Sequence, residues 1–217
     1  MVSQNHRNFV PRRAAKRTDV IRSKIAQILI ENHGYLRTGD LPRHGLSKKH
    51  LASLVADGTL QRVKRGLYKS DQLDTEAYES FADVCRAVPR GVICLLSALA
   101  YHELSTINPG EIHLAVESKA RVSLPEYPPV RLYYFYPKQF EAGIITVNHP
   151  RGSIRIYSAE KTVCDCLRLR GRIGTDLALE GLRGYLRRKD RDLMGLMTQA
   201  KLCRVESLLK KYVEAML

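Results

Sequence analysis

The chain has 217 residues, of which 44% are hydrophobic and 27% are charged, a balance typical of a folded protein and not of a disordered, collagen-like or coiled-coil chain. The longest uncharged apolar run, residues 91–101, is shorter than the roughly 18 residues that a membrane-spanning helix needs. The basic N-terminus has no apolar segment behind it, which argues against a secretory signal. The five cysteines are odd in number and scattered, which is not a disulfide pattern. We therefore expect a cytoplasmic protein with no membrane partner.

Positive charge is concentrated at the start of the chain. The formal net charge is +14; residues 1–70 hold 15 Lys/Arg and 4 Asp/Glu, whereas residues 71–217 hold 21 and 18. Residues 1–17 contain five basic residues and no acidic one. This asymmetry favours a nucleic-acid partner for the first third of the chain over a merely solubilising surface.

Residues 1–17 are predicted to form a flexible basic arm, and residues 18–70 three helices. Thr18 is an N-cap residue, and the apolar positions behind it recur at helical spacing up to a stop at Gly34: Ile21, Ile25, Ile28 and Leu29. A second helix is expected from the cap Thr38 to Gly45, with Pro42 in its first turn. Ser47 is expected to cap a third helix over residues 48–57, and the short connection through Gly45 is typical of a helix-turn-helix.

A β-hairpin is predicted directly after these helices. Residues 60–63 and 67–69 are β-prone, and the loop Lys64-Arg65-Gly66 places a glycine where a positive φ is needed. Leu60 and Val63 are out of phase in a strand, which predicts a bulge. Three helices followed by a basic-tipped hairpin indicate a winged helix-turn-helix.

The third helix is expected to pack through one face and to read DNA with the other. Leu51, Leu54 and Val55 share the side that should face the first helix, while the opposite side carries small residues that allow a close approach to a major groove. Long cations at the hairpin tip reach phosphates or the minor groove. The predicted DNA-binding residues are Arg12, Arg13, Lys48, Lys49, His50, Ser53, Arg62, Lys64 and Arg65.

Residues 75–217 are predicted to form a second, mixed α+β domain, because a block of strands is followed by helices. Helices are expected over residues 75–88, 92–104, 158–170 and 175–188, with two shorter ones behind. Strands are expected over residues 112–116, 130–136, 144–147 and 154–157. Ser158 is the expected cap of the helix that follows the last strand.

Catalytic, metal and cofactor sites are not predicted in this second domain. Cys164 and Cys166, two apart on a helix, point in different directions and cannot bind one metal ion, so buried apolar positions are the expected role of the cysteines. Glu160 and Asp165 diverge in the same way. The chain is therefore expected not to be an enzyme.

A partner surface is suggested by two other features of this domain. The strand at residues 130–136 carries aromatic residues on both faces, and one strand does not easily bury both. A basic run follows between residues 183 and 191. The candidate contact residues for a protein or RNA partner are Tyr134, Tyr136, Arg187 and Arg188.

Three ordered segments resemble the AbiEi-type antitoxins of type IV toxin–antitoxin systems, which are linked to abortive phage infection. Residues 34–54 and the wing pattern G-x-L-x-R-x-x-R-G-x-Y at residues 58–68 resemble that family's N-terminal domain. In the second domain, Ser97-Ala98-Leu99 and the E-K-T-x-x-D pattern at residues 160–165 resemble further motifs of the family, so that the resemblance spans about residues 19–190.

This resemblance implies an antitoxin that represses its own operon by binding operator DNA through the winged helix. It also implies a nucleotidyltransferase-like toxin encoded beside it, so that the toxin or the toxin's substrate is an expected partner. The alternative is a toxin-neutralising interaction protein whose winged helix binds protein or RNA and has no DNA-specific role.

Overall fold

The computed structural model describes residues 12–70 and 78–215, with side chains from residue 19 onward. The chain divides into two compact units, Met1–Asp74 and Thr75–Leu217. The predicted α+β class is confirmed, because helices and sheets occur in both units. Among the described residues, no helix is both long enough and apolar enough to cross a membrane.

The first unit is a small helical layer on a three-stranded antiparallel sheet. Its elements are α1 (Arg12–Glu31), β1 (Tyr35–Arg37), a short 3₁₀ helix (Leu41–His44), α2 (Lys49–Ala56), β2 (Leu60–Lys64) and β3 (Leu67–Ser70). The strands lie in the order β1–β3–β2. Apolar side chains from helices and strands meet in one buried core: Ile25, Ile28, Leu36, Leu41, Leu46, Leu51, Leu54 and Leu60.

The start of α1 was predicted wrongly. The helix begins at Arg12 and not at Thr18, because the intervening sequence consists mainly of Arg, Ala and Lys, which are strong helix formers. The upstream part of the predicted arm, residues 1–11, lies outside the described residues.

The second and third helices are both shorter than predicted. The segment behind Thr38 forms one 3₁₀ turn with its N-cap at Asp40, and the preceding strand β1 was not predicted. The N-cap of α2 is Lys48, not Ser47. Val55, which was predicted to pack, is 38% exposed, whereas Leu51 and Leu54 are buried.

The predicted hairpin and its bulge are confirmed. Strands β2 and β3 pair antiparallel, and their register shifts between Arg62 and Lys64. Gly66 has φ +83° at the tip, and its carbonyl accepts a hydrogen bond of 3.0 Å from the backbone N–H of Thr38. The wing is thus joined to the end of β1.

The second unit is built on a five-stranded mixed sheet. Its strands are β4 (Val92–Ile93), β5 (Ile112–Glu117), β6 (Val130–Phe135), β7 (Ile144–His149) and β8 (Gly152–Tyr157), in the order β6–β5–β4–β8–β7. The pairs β5–β6 and β4–β8 are parallel, and the other two pairs are antiparallel. The two-residue strand β4 was predicted as the start of a helix; it lies at the centre of the sheet, where its side chains are fully buried.

The helices described in this unit are α3 (Glu79–Ala87), α4 (Leu95–Tyr101), α5 (Pro137–Glu141), α6 (Ala159–Arg168), α7 (Arg170–Ile173), α8 (Thr175–Arg187), α9 (Leu193–Cys203) and α10 (Glu206–Glu214). Helices α3, α4 and α5 pack on the sheet, and the later helices pack on α6 and on one another. The predicted cap of α6 is confirmed, since Ser158 Oγ accepts a hydrogen bond from the N–H of Lys161. Helix α6 is buried along almost its whole length.

A cluster of charges lies inside the core at α6, and we call Lys161, Asp165 and Arg168 the buried charge cluster. Lys161 and Asp165 are fully buried and paired, and Arg168 donates to Asp165 Oδ1 over 3.0 and 3.3 Å. The Lys161 ammonium also lies 5.0 Å from the ring centre of Phe135 and 4.2 Å from that of Tyr157. The ion pairs and the two rings together compensate for the burial of charge.

Candidate nucleic-acid interface

Helix α2 presents a basic and small-residue face to solvent. Lys48, Lys49 and Ser53 are exposed, as are Ala52 and Ala56 between and behind them. The buried Leu51 and Leu54 hold the opposite side of the helix to the core. An exposed face with short side chains and two cations at its start can approach a polyanion closely.

His50 and Ser53 are held by hydrogen bonds at the start of α2. The ring Nδ1 of His50 accepts from the backbone N–H of Ser47 at 3.1 Å, while the N–H of His50 donates to the Ser47 carbonyl. Nε2 of His50 is thus the ring nitrogen left to face a ligand, and it is the donor in the neutral ring. The Ser53 hydroxyl donates to the His50 carbonyl at 3.3 Å, so its lone pairs are the part that can accept from a base amino group.

The wing carries three cations in different settings. Arg62 and Arg65 are exposed, whereas Lys64 is half-buried. Burial lowers the pKa of the Lys64 ammonium, and the nearby Arg37 guanidinium lowers it further. A phosphate placed beside Lys64 and Arg37 would offset this repulsion between like charges.

Arg37 is a residue that the sequence did not single out. It lies at the end of β1 and pairs in register with Leu67 of β3, which brings it to the base of the wing. Its backbone N–H donates to Asp40 Oδ2 at 3.3 Å. Nothing in the sequence indicated Arg37, because strand β1 is too short to show the alternating pattern that predicts a strand.

Of the other predicted DNA-binding residues, Arg12 and Arg13 lie in the first turn of α1. Their side chains are outside the described residues. Their assignment therefore stays a prediction.

The aromatic strand β6 separates its two faces as an edge strand should. Tyr133 and Phe135 are buried in the core, whereas Tyr134 is 56% exposed and the following Tyr136 is 73% exposed. Strand β6 is one of the two edge strands of the sheet, and both tyrosines are accessible to solvent. The partner surface at Tyr134 and Tyr136 stays a prediction.

The two arginines proposed for the same surface differ from each other. Arg187 is exposed. Arg188 is half-buried and donates to the Asp190 carboxylate over 2.9 and 2.7 Å, and over 3.4 Å to the carbonyl of His102. The Arg188 charge is therefore already used within the chain, which weakens its case as a contact residue.

The acidic residues and cysteines of α6 are held in structural contacts. Glu160 accepts a 2.7 Å hydrogen bond from the Tyr185 hydroxyl, while Asp165 belongs to the buried charge cluster, so the predicted divergence of the two carboxylates is confirmed. All five cysteines are buried, as predicted. Burial raises the pKa of the Cys85 thiol to about 11 and that of Cys203 to about 12.

Comparison with known families bears on the first unit. Residues 23–68 match the family model described as "Transcriptional regulator, AbiEi antitoxin", which confirms the resemblance for the first unit; the resemblance of the motifs in the second unit stays a prediction. The matched segment runs from α1 through the helix α2 to the middle of β3. No curated protein matches the chain.

Proposed function

We propose that this chain is an AbiEi-type antitoxin regulator that represses its own operon by binding operator DNA through α2 and the wing; the family match of residues 23–68 supports this. The observation that carries the proposal is the exposed, basic, small-residue face of α2 within the matched segment. A regulator of this kind acts where the chromosome is, in the cytoplasm.

The two parts of the interface are proposed to do different work. The exposed face of α2 can enter a major groove and contact base edges. This face carries Lys49 and Ser53, with Lys48 and His50 beside them. Arg65 at the wing tip, with Arg62 and Lys64 behind it, supplies long cations that contact phosphates irrespective of sequence. The face of α2 lacks Arg, Asn and Gln, so each base contact contributes modestly to specificity.

The second unit is proposed to supply the antitoxin function by binding and not by catalysis. Its exposed Tyr134 and Tyr136 suit a partner surface, and the partner is the toxin or the nucleic acid on which the toxin acts. Glu160 and Asp165, the carboxylates of its E-K-T-x-x-D motif, are committed to Tyr185 and to the buried charge cluster. This supports a structural role for the motif.

DNA binding by variants of the full chain tests the first part of the proposal. Lys64→Ala/Arg65→Ala should weaken binding to operator and random duplexes alike, and should lower the slope of log K against log salt by about 0.9 for each phosphate contact that the substitutions remove. Lys49→Ala/Ser53→Ala should instead reduce the difference between the binding free energies for operator and random DNA, by about 1–3 kcal/mol for each base contact that is lost.

A matched control is Lys119→Ala/Arg121→Ala, which removes two exposed cations from a loop of the second unit and should leave both affinities unchanged. If all three double variants weaken binding equally, the winged helix has no specific role. If the α2 and wing variants bind the operator as the unaltered chain does, DNA binding by this surface is refuted.

A further inference from the structure

A basic cavity lies in the second unit, between helices that pack around α6. Its volume is about 570 Å³, and its walls come from the end of α6, the start of α7, the end of α9 and the start of α10. Four cationic side chains line it: Arg168, Arg170, Lys201 and Arg204. Operator binding through the winged helix does not use this cavity.

The charge around the cavity is strongly positive because the acidic residue that lines it is already paired. Glu206 lies in the wall, but its carboxylate lies 2.9 Å from the Lys210 ammonium one turn along α10. Arg168 belongs to the buried charge cluster, where two cations share the single carboxylate of Asp165. The cluster therefore contributes one positive charge to the wall, and Arg170, Lys201 and Arg204 contribute three more.

The backbone adds donors to the same wall. Val205, the N-cap residue of α10, makes no side-chain capping hydrogen bond, and Glu206 and Ser207 of the first helical turn line the cavity. The N–H groups of a first turn have no partner within their own helix and favour negative charge. Arg204 itself has φ +58°, a conformation that favours glycine, so a cation stands where the backbone would prefer no side chain.

We propose that this cavity binds the polyphosphate group of a nucleotide, taken either from a free nucleoside triphosphate or from the 5′-triphosphate end of an RNA. A triphosphate carries about four negative charges near neutral pH, which matches the charge of the wall. Guanidinium groups bind phosphate oxygens in pairs, and Arg170 and Arg204 can supply two of them. The nitrogens of Arg168, in contrast, already donate to Asp165 and Gln139. The volume lies in the range of about 300–1,000 Å³ that small-ligand sites occupy. Polyphosphate binding here goes beyond operator binding and does not depend on it.

Titration calorimetry on the full chain tests the proposal with four ligands, in buffer without Mg²⁺ so that the phosphate charge is not neutralised. The ligands are ATP, adenosine, a 5′-triphosphorylated RNA octamer and the same octamer with a 5′-hydroxyl. The informative variant is Lys201→Gln/Arg204→Gly, because Lys201 is exposed and glycine suits the positive φ at residue 204. Lys119→Gln/Arg121→Gln removes the same charge elsewhere in the unit, and circular dichroism verifies that both variants fold.

The pocket variant should bind the triphosphate ligand at least about tenfold more weakly for each phosphate contact that it can no longer make, while the control variant should bind within about twofold of the unaltered chain. Binding of ATP but not adenosine identifies a free nucleotide. Binding of the triphosphorylated octamer alone identifies an RNA end. The proposal is overturned if neither triphosphate binds, if adenosine or the 5′-hydroxyl octamer binds as tightly, or if the two variants weaken binding equally.

Discussion

The substitution Asp165→Asn removes the one negative charge of the buried charge cluster and should destabilise the second unit. Lys161 and Asp165 have fully buried side chains, and Arg168 is 22% exposed. Breaking a buried ion pair by removing one partner costs about 3–5 kcal/mol, because the other charge is left without compensation. Here the Lys161 ammonium keeps the faces of Phe135 and Tyr157 at 5.0 and 4.2 Å, so we expect a loss near the lower end, about 3 kcal/mol.

Urea unfolding of the full chain, followed by circular dichroism, measures this loss. It corresponds to a fall of about 10 °C in the melting temperature of a unit of this size. The control is Asp190→Asn, which breaks the pair with the half-buried Arg188; because the Asp190 side chain is 69% exposed, this variant should shift the unfolding midpoint much less than Asp165→Asn.

A double-mutant cycle separates the ion pair from general disturbance of the core. Lys161→Met/Asp165→Leu replaces the pair by apolar side chains of similar size and should lose less stability than the two single substitutions together. If Asp165→Asn unfolds at the same urea concentration as the unaltered chain, the cluster does not hold the core together. If the double variant loses the full sum, the two residues act independently, and the charges of the cluster do not compensate each other.

Three further predictions concern other parts of the chain. Burial, with a smaller contribution from Arg131, lowers the pKa of His113 to about 4. Because the unfolded ring takes up a proton near pH 6.5, the free energy of unfolding of the second unit should fall as the pH drops from about 6.5 to 4. In unfolding experiments at several pH values, His113→Gln should make this fall smaller. The thiols should react with iodoacetamide at pH 8 far more slowly in the folded chain than in 6 M guanidinium, because the raised pKa of Cys85 and Cys203 suppresses the thiolate; fast labelling of the folded chain would contradict their burial. Gly66→Ala should destabilise the winged helix by about 1–2 kcal/mol, because φ is +83° and the new Cβ would lie 3.1 Å from Thr38 Oγ1. The control Gly39→Ala has open space around the new Cβ and should leave the melting temperature unchanged when both variants are melted.

The hairpin and the longer helices could be predicted from the sequence because they carry their own local signals. The loop glycine Gly66, the phase break at Leu60 and Val63, and the cap Ser158 each act within a few residues of the feature that they specify. Strands β1 and β4 could not be predicted, since three and two residues are too few to show alternation. They exist because neighbouring strands pair with them.

The candidate site, too, could be predicted only where its residues lie close together in the sequence. The face of α2 follows from helical spacing alone, whereas the approach of Arg37 to Lys64 depends on the pairing of β1 with β3. Lys161 and Asp165 are four residues apart, a spacing that usually indicates an exposed pair on a helix surface. Only the packing of Phe135 and Tyr157 around them shows that this pair is buried.

The close approach of Gly143 to Lys161 limits which substitutions the buried charge cluster can accept during evolution. Gly143 has φ +70°, and a Cβ built on it would lie 2.6 Å from the Cβ of Lys161. Lineages that alter the lysine, the aspartate or this glycine singly would pass through an unstable intermediate, so the positions are expected to be inherited together. Within this chain, the E-K-T-x-x-D pattern thus specifies a way of packing α6 against its neighbours, since Lys161 and Asp165 form a buried pair.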